Sequence, residues 1–245
     1  MNKLPQITLT FWIMKICATT LGETAGDLLS MTLNIGYAVS TIILVSIFLT
    51  SLISQLRAKK FHPALYWSVI LATSTAGTTM SDYMDRTLGL GYMKGSIILA
   101  LLLIATLMIW KFVMGTISVN EIKTPKAELF YWVAILFSNT LGTALGDFLA
   151  DDSGLGFAGG AILIALLIGI IVVVNYYTQI SKVVLFWIAF VLTRPLGATF
   201  GDFLTKTKEK GGIGFGTIGS SSILFVILIG LILYSHQSKE QIILD

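Results

Sequence analysis

The chain has 245 residues, 55% of them hydrophobic and 12% charged, with a formal charge of +3 and a mean hydropathy of +0.86. Soluble domains carry about 25% charged residues, so this composition excludes a soluble domain of any size and makes the lipid bilayer the solvent to reason with. The small positive charge carries no nucleic-acid signal, and the single cysteine, Cys17, excludes an internal disulfide and a multi-cysteine metal site.

Along the chain, apolar segments of two kinds alternate. The first kind covers about 10–33, 65–87, 129–153 and 184–205, and each copy holds an internal acid. The second covers about 36–56, 91–111, 156–175 and 214–234 and holds none. A membrane span needs about 20 mostly apolar residues, so the pattern predicts an all-α membrane protein of eight transmembrane helices. Lys3 precedes the first apolar stretch, but that stretch contains Lys15 and lacks a small-residue cleavage site. It reads as a retained span rather than a signal peptide. Within each pair the connection is short: Asn34 to Gly36, Gly89 to Gly91, Gly154 to Gly156 and Gly212 to Gly214, each followed by Tyr or Phe. The first Asn or Gly of each suits a left-handed helix C-cap. Three inserted residues lengthen the fourth connection, near Lys206, Lys208 and Lys210.

Between pairs the connections are basic, with Arg57, Lys59, Lys60, Lys111, Lys123, Lys126 and Lys182 on the side that holds both termini. Arg86 and the lysines around 206–210 oppose them, beside Asp85, Asp151 and Asp152, which read as solvated loop acids. Positively charged loops stay inside, so both termini are expected in the cytoplasm and the chain in the inner (plasma) membrane. The resulting units are 1–62, 63–111, a linker over 112–128, then 129–182 and 183–245, within one integral membrane domain. All four enter from the same side, so they are parallel repeats about an axis along the membrane normal.

The repeat is explicit in the residues. Asp27, Asp82, Asp147 and Asp202 each end a small-residue stretch, and Trp12, Trp67, Trp132 and Trp187 stand 15 residues before them. Both series step by 55, 65 and 55 residues. Counted from its Asp, each copy has small residues at −5 and −1: Gly22/Gly26, Gly77/Ser81, Gly142/Gly146 and Gly197/Gly201. Small residues four apart let helix backbones approach closely in lipid. Four copies in one register predict four inner helices packed by their glycines, with the acid-free helices outside them. Residues four apart also share a helix face, and positions −8, −4 and 0 read Thr19/Glu23/Asp27, Ser74/Thr78/Asp82, Asn139/Thr143/Asp147 and Arg194/Ala198/Asp202. Packing the glycines turns this polar face inward. At 1.5 Å per residue the four Asp lie about 6 Å nearer the non-cytoplasmic surface than Glu23, the deepest acid. An ionisable group at such depth costs about 2.5–3.5 kcal/mol and faces a cavity or a partner. Glu23 and Arg194 alone break the symmetry, and each is the other's natural counter-ion. Pro195 is expected to kink or loosen its helix.

The LG-x-x-x-GD core with its following GLGF or GLGY resembles a bacterial membrane-protein family built of four copies of a repeat of unknown function, described as predicted membrane-anchored proteins. Repeat two departs most, with Ala76 and Ser81 in place of Leu and Gly. The resemblance implies architecture and no chemistry.

From the residues themselves, the leading expectation is a secondary transporter for a small cation, a hard divalent metal such as Mn²⁺. Glu23, Asp27, Asp82, Asp147 and Asp202 would be its ligands, Thr78, Asn139 and Thr143 would add hydroxyl and amide oxygens, and Arg194 would pair or gate. Oxygen ligands suit Mg²⁺, Ca²⁺ or Mn²⁺, whereas His62 and His236 sit at span edges. Protons exchanged at Glu23 or an Asp would couple transport. No resident cofactor is expected and the oligomeric state is open. A proton-coupled exporter of organic cations would use the same acids with Tyr83, Phe148, Phe200 and Phe203 as aromatic lining. An intramembrane aspartyl protease would resemble a GxGD motif, but position −3 is Thr24, Thr79, Ala144 or Thr199, never Gly. A non-transporting assembly subunit would leave the inward acids without a role. In a purely structural alternative the four Asp cap the inner helices or bind loop amides as polar glue, although a carboxylate near a helix C-terminus is poorly placed for the dipole.

Overall fold

The computed structural model describes residues 4–244, with side chains for 4–235. Lys3 and the side chain of His236 lie outside the described residues. Eight long helices follow in order: α1 (Leu9–Asp27), α2 (Tyr37–Arg57), α3 (Pro63–Asp82), α4 (Tyr92–Met114), α5 (Pro125–Asp147), α6 (Gly156–Tyr177), α7 (Lys182–Thr205) and α8 (Gly216–Leu244). Among the described residues there is no strand.

Local chemistry sets the helix ends. The Thr8 and Thr124 hydroxyls accept from the amides of Phe11 and Ala127 and cap α1 and α5. Pro63 and Pro125 open α3 and α5, where a missing N–H costs nothing. α5 therefore begins inside the stretch read as a linker, and α4 runs three residues beyond the boundary expected at 111. Immediately after their Asp, α1, α3 and α5 each widen into one π-helical turn, Leu28–Thr32, Tyr83–Thr87 and Phe148–Asp152. Asn34, Gly89 and Gly154 then take the expected left-handed conformation. The fourth repeat differs: there Gly211 is left-handed, and Gly212 is needed instead because a Cβ would collide with the Lys206 carbonyl. α7 runs through Pro195 as one continuous helix.

α1, α3, α5 and α7 form a closed ring in which each packs on the next and α7 returns to α1. The glycines show how. A Cβ on Gly22 would strike Ser74, one on Gly77 would lie 3.0 Å from the Asn139 and Thr140 backbone, one on Gly142 would strike Arg194, and one on Gly197 would lie 2.5 Å from Thr19 Oγ1. Position −5 of every inner helix thus lies against position −8 of the next. Position −1 lies against −4: Gly26 on Thr78, Gly146 on Ala198 and Gly201 on Glu23. The constant offset means that the four helices are parallel. At one end of the ring the aromatics close in the same sense, Phe11 on Trp67 at 5.6 Å, Tyr66 on Trp132 at 5.5 Å, Tyr131 on Trp187 at 6.2 Å and Phe186 on Trp12 at 5.7 Å. The repeated Trp is therefore a ring-closing residue.

The outer helices do not cover their own repeat. α2 packs chiefly on α3, α4 on α5, α6 on α7, and α8 on α1. Each repeat thereby clasps its successor, and the chain closes on itself without symmetry-related copies. α2, α4, α6 and α8 leave Ile, Leu and Val exposed along most of their length. Among the described residues six helices are long and apolar enough to cross a membrane: these four, together with α5 and α7. α1 and α3 are more polar, and the ring buries their polar residues.

The ring predicts which substitutions matter. Gly77→Leu pushes a side chain into backbone that cannot swing aside, and overpacking of this kind costs about 1–3 kcal/mol. Its melting temperature in detergent should fall clearly, while Ile170→Leu on the exposed face of α6 should melt like the wild type. Equal melting of the two would reject the glycine contacts as the basis of the ring.

Candidate functional site

Because the inner helices are parallel and in register, equivalent positions form layers along the ring axis. The −4 and −8 layers meet at Arg194, which is fully buried. Its Nη1 donates to Glu23 Oε2 at 2.9 Å, and its Nη2 donates to Thr78 Oγ1 at 2.6 Å, Thr143 Oγ1 at 2.7 Å and the Ser74 carbonyl at 3.3 Å. The Thr78 and Thr143 hydroxyls in turn lie 3.4 Å from Glu23 Oε2. One guanidinium from α7 is thus held by α1, α3 and α5. A lone charge in hydrocarbon would be costly, and this pairing with shared hydroxyls compensates it.

The Asp layer carries two bases of its own. Arg86 Nε stands 3.0 Å from Asp82 Oδ1, and its Nη2 donates to Asp147 Oδ2 at 3.1 Å. Tyr37 accepts a further Arg86 N–H at 3.1 Å, and the guanidinium lies beside the rings of Tyr37 and Tyr92. Lys206 Nζ donates to Asp27 Oδ2 at 2.6 Å and stands 3.0 Å from Asp202 Oδ1. Asp82 Oδ1 and Asp202 Oδ1 are close to these bases but out of hydrogen-bond alignment. Burial pulls the Lys206 ammonium down, yet the Asp202 and Asp27 carboxylates outweigh it and hold its pKa above the usual lysine range. The ring of carboxylates is therefore an ion-paired layer. Alternate Asp pairs are clamped, and Glu23 has its own partner.

Within this arrangement Glu23, Asp147 and Asp202, from α1, α5 and α7, offer carboxylate oxygens within 4.8 Å of one another. Their ion pairs run through Glu23 Oε2, Asp147 Oδ2 and Asp202 Oδ1, so each has a second oxygen outside its pair. Asp27 and Asp82 sit in the same layer but not in this triad. Thr78 and Thr143 face the arginine. Asn139 lies one layer away, where its Oδ1 accepts from Lys15 Nζ at 3.3 Å and its Nδ2 donates to Thr73. Asp85 is not a solvated loop acid: it is buried, accepts from Ser81 and packs where Gly95 leaves room. Asp151 and Asp152 are exposed. Of the aromatics expected to line an organic-cation site, Phe200 is exposed and stacks on Phe203, away from the ring.

Three functional candidates escaped the sequence reading: Lys15, Arg86 and Lys206. Their signal is present. Lys15 stands at −12, four residues before Thr19 on the polar face, and it is completely buried over the Phe190 ring at 4.1 Å. Arg86 and Lys206 each follow their Asp by four residues, the spacing at which an acid and a base meet on a helix. The pair Glu23 and Arg194 is testable by a double-mutant cycle. Glu23→Gln and Arg194→Gln should each cost about 3–5 kcal/mol because the survivor is left buried and unpaired. The double variant should cost clearly less than the sum of the two. Simple additivity in melting or denaturant measurements would rule the pairing out as a stabilising contact.

No curated protein and no solved structure matches the chain. A family model does, four times in succession, over residues 10–61, 65–116, 130–181 and 185–241. Each match holds one inner helix, its Asp and the outer helix that follows. The chain belongs to the family described as Repeat of Unknown Function (DUF347).

Proposed function

We propose that the chain is an integral membrane protein of eight spans that carries a small cation, a divalent metal such as Mn²⁺, through the carboxylate layer of its inner ring. The observation that carries this reading is the triad of buried carboxylates, Glu23, Asp147 and Asp202, drawn from three helices to within 4.8 Å. Buried like charges repel, and helix caps or structural glue would not need three of them at one point. Five carboxylates meet three bases in the two layers, so the ring keeps an excess of negative charge for a further cation. The donors are oxygens throughout, which suits a hard metal ion. Protons taken up at the same carboxylates are the coupling ion in this reading. α1 and α3 count as spans because they stand in the same ring as α5 and α7, with their polar residues turned away from lipid. In this reading both termini face the cytoplasm of a bacterial inner membrane, supported by the basic connections on their side.

Two measurements test this. Single cysteines at Lys59 and Lys208 should label from opposite sides of the membrane, and labelling from one side would reject the eight-span topology. In reconstituted vesicles, wild-type protein should move Mn²⁺. Asp147→Asn with Asp202→Asn keeps size and most hydrogen bonding but removes two charges. That variant should fold and lose at least about 90% of the flux, because the loss of two charged ligands is worth far more than one tenfold step of 1.4 kcal/mol. Undiminished flux in a stably folded double variant would sink the proposal.

A further inference from the structure

The two clamps of the Asp layer are not equivalent. Arg86 is fully engaged, with Asp82, Asp147, the Tyr37 hydroxyl and two aromatic rings around it. Among the described residues Lys206 is held by Asp27 and Asp202, with the Met31 sulfur at 4.0 Å besides. It also lines a cavity of about 470 Å³ together with Asp27, Met31, Thr205, Lys210 and Phe215, at the loop that is longer in repeat four than in the others. A guanidinium is a rigid planar fork, whereas an ammonium is a compact point charge on a flexible stem. The structure thus holds one clamp fixed and mounts the other at the wall of a cavity.

Thr205, itself buried, lines the same cavity, and its hydroxyl, closed off from solvent, has no hydrogen-bond partner among the described residues. A buried hydroxyl left without a partner costs about 1–3 kcal/mol.

We propose that Asp27 and Asp202 form the outer binding site for the incoming cation and that the Lys206 ammonium is a tethered occupant of that site, which the cation displaces. This rests on the transport reading above and adds the entrance and the competitor to it. The class of ligand follows from what sits there now. The space between the two carboxylates fits a compact cation, such as a metal ion or a primary alkylammonium, and not a bulky organic one. When a dication takes the place of the ammonium, the two carboxylates stay neutralised, and the lysine swings into the cavity. It can return once the ion has moved on toward Glu23 and Asp147, so the inner site is not left facing an empty outer one.

An occupant that fills a site for more than nine-tenths of the time weakens apparent affinity at least about tenfold. Lys206→Ala in detergent should therefore bind Mn²⁺ at least tenfold more tightly than wild type by titration calorimetry. The same variant should melt lower than wild type, and millimolar methylammonium, a fragment of the missing side chain, should recover part of the loss. In the wild-type protein, saturating Mn²⁺ should raise acylation of Lys206 several-fold by mass spectrometry, which gives a result even if the variant fails to fold. Equal Mn²⁺ affinity in wild type and Lys206→Ala, or a Lys206 reactivity that Mn²⁺ leaves unchanged, overturns the tethered-cation assignment. Failure of Mn²⁺ flux in wild-type vesicles overturns the transport reading instead, so the two failures are told apart.

Discussion

Ring closure depends on small residues at two positions per repeat, glycine at both in every repeat but the second, where Ser81 stands at −1. In lipid there is no hydrophobic force to hold helices together, so contact must come from dispersion between closely approached backbones and from polar groups that lipid cannot solvate. Hydrogen at Gly22, Gly77, Gly142 and Gly197 lets each inner helix approach the next at the level of its −8 residue. That one contact fixes the register, and the register fixes everything stacked above and below it. The Trp ring at one end, the Arg194 cradle in the middle and the Asp layer at the other end are all consequences of helices that cannot slide past one another.

The same closure creates an electrostatic problem. Turning the glycines inward turns the adjacent polar face inward as well, and with it Glu23 and four Asp. The solution is local pairing by bases that come from neighbouring helices or from the next turn: Arg194 on Glu23, Arg86 between Asp82 and Asp147, Lys206 between Asp27 and Asp202. Shared threonine hydroxyls spread the charge of Arg194 over three helices. The interior of the ring is thereby more like a polar protein core than like the bilayer, and the four apolar outer helices keep the two apart.

How far this was legible in the sequence follows from what each signal depends on. Periodicity and repetition reveal what repeats, so the eight helices, the inner and outer classes and the glycine register could be read from residues such as Gly142 and Gly146. The pairing of Glu23 with Arg194 could be read because both break the repeat. Which helix α2 covers could not be read, because a short loop makes the neighbouring repeat and its own equally reachable. In the sequence Arg86 and Lys206 read as loop charges, because they stand just beyond the Asp, where the apolar run ends. Only the π turn after Asp82, and the end of α7 at Thr205, bring these bases back over the carboxylates. Asp85 reads as a loop acid for the same reason, since burial in a widened turn leaves no trace in hydropathy.

Several departures from fourfold symmetry join repeats four and one: Lys206 and the lengthened loop stand at the seam between them, and Arg194 reaches across the ring to Glu23 while its stem packs on Gly142 of repeat three. A cavity of about 470 Å³ opens at this seam beside Lys206, and an apolar groove of about 700 Å³ runs along it between α1, α6 and α7. The other seam between the two halves of the chain, repeats two and three, is held by Arg86 with its two tyrosines. At the seam between repeats four and one the close contacts of Gly197 on Thr19 and of Gly201 on Glu23 are joined by the Lys206 ion pairs. An ion pair can be replaced by another charge, while a glycine contact can only be lost. The repeat thus supplies the close-packed frame, and the residues that violate it add charges to that frame that can be exchanged.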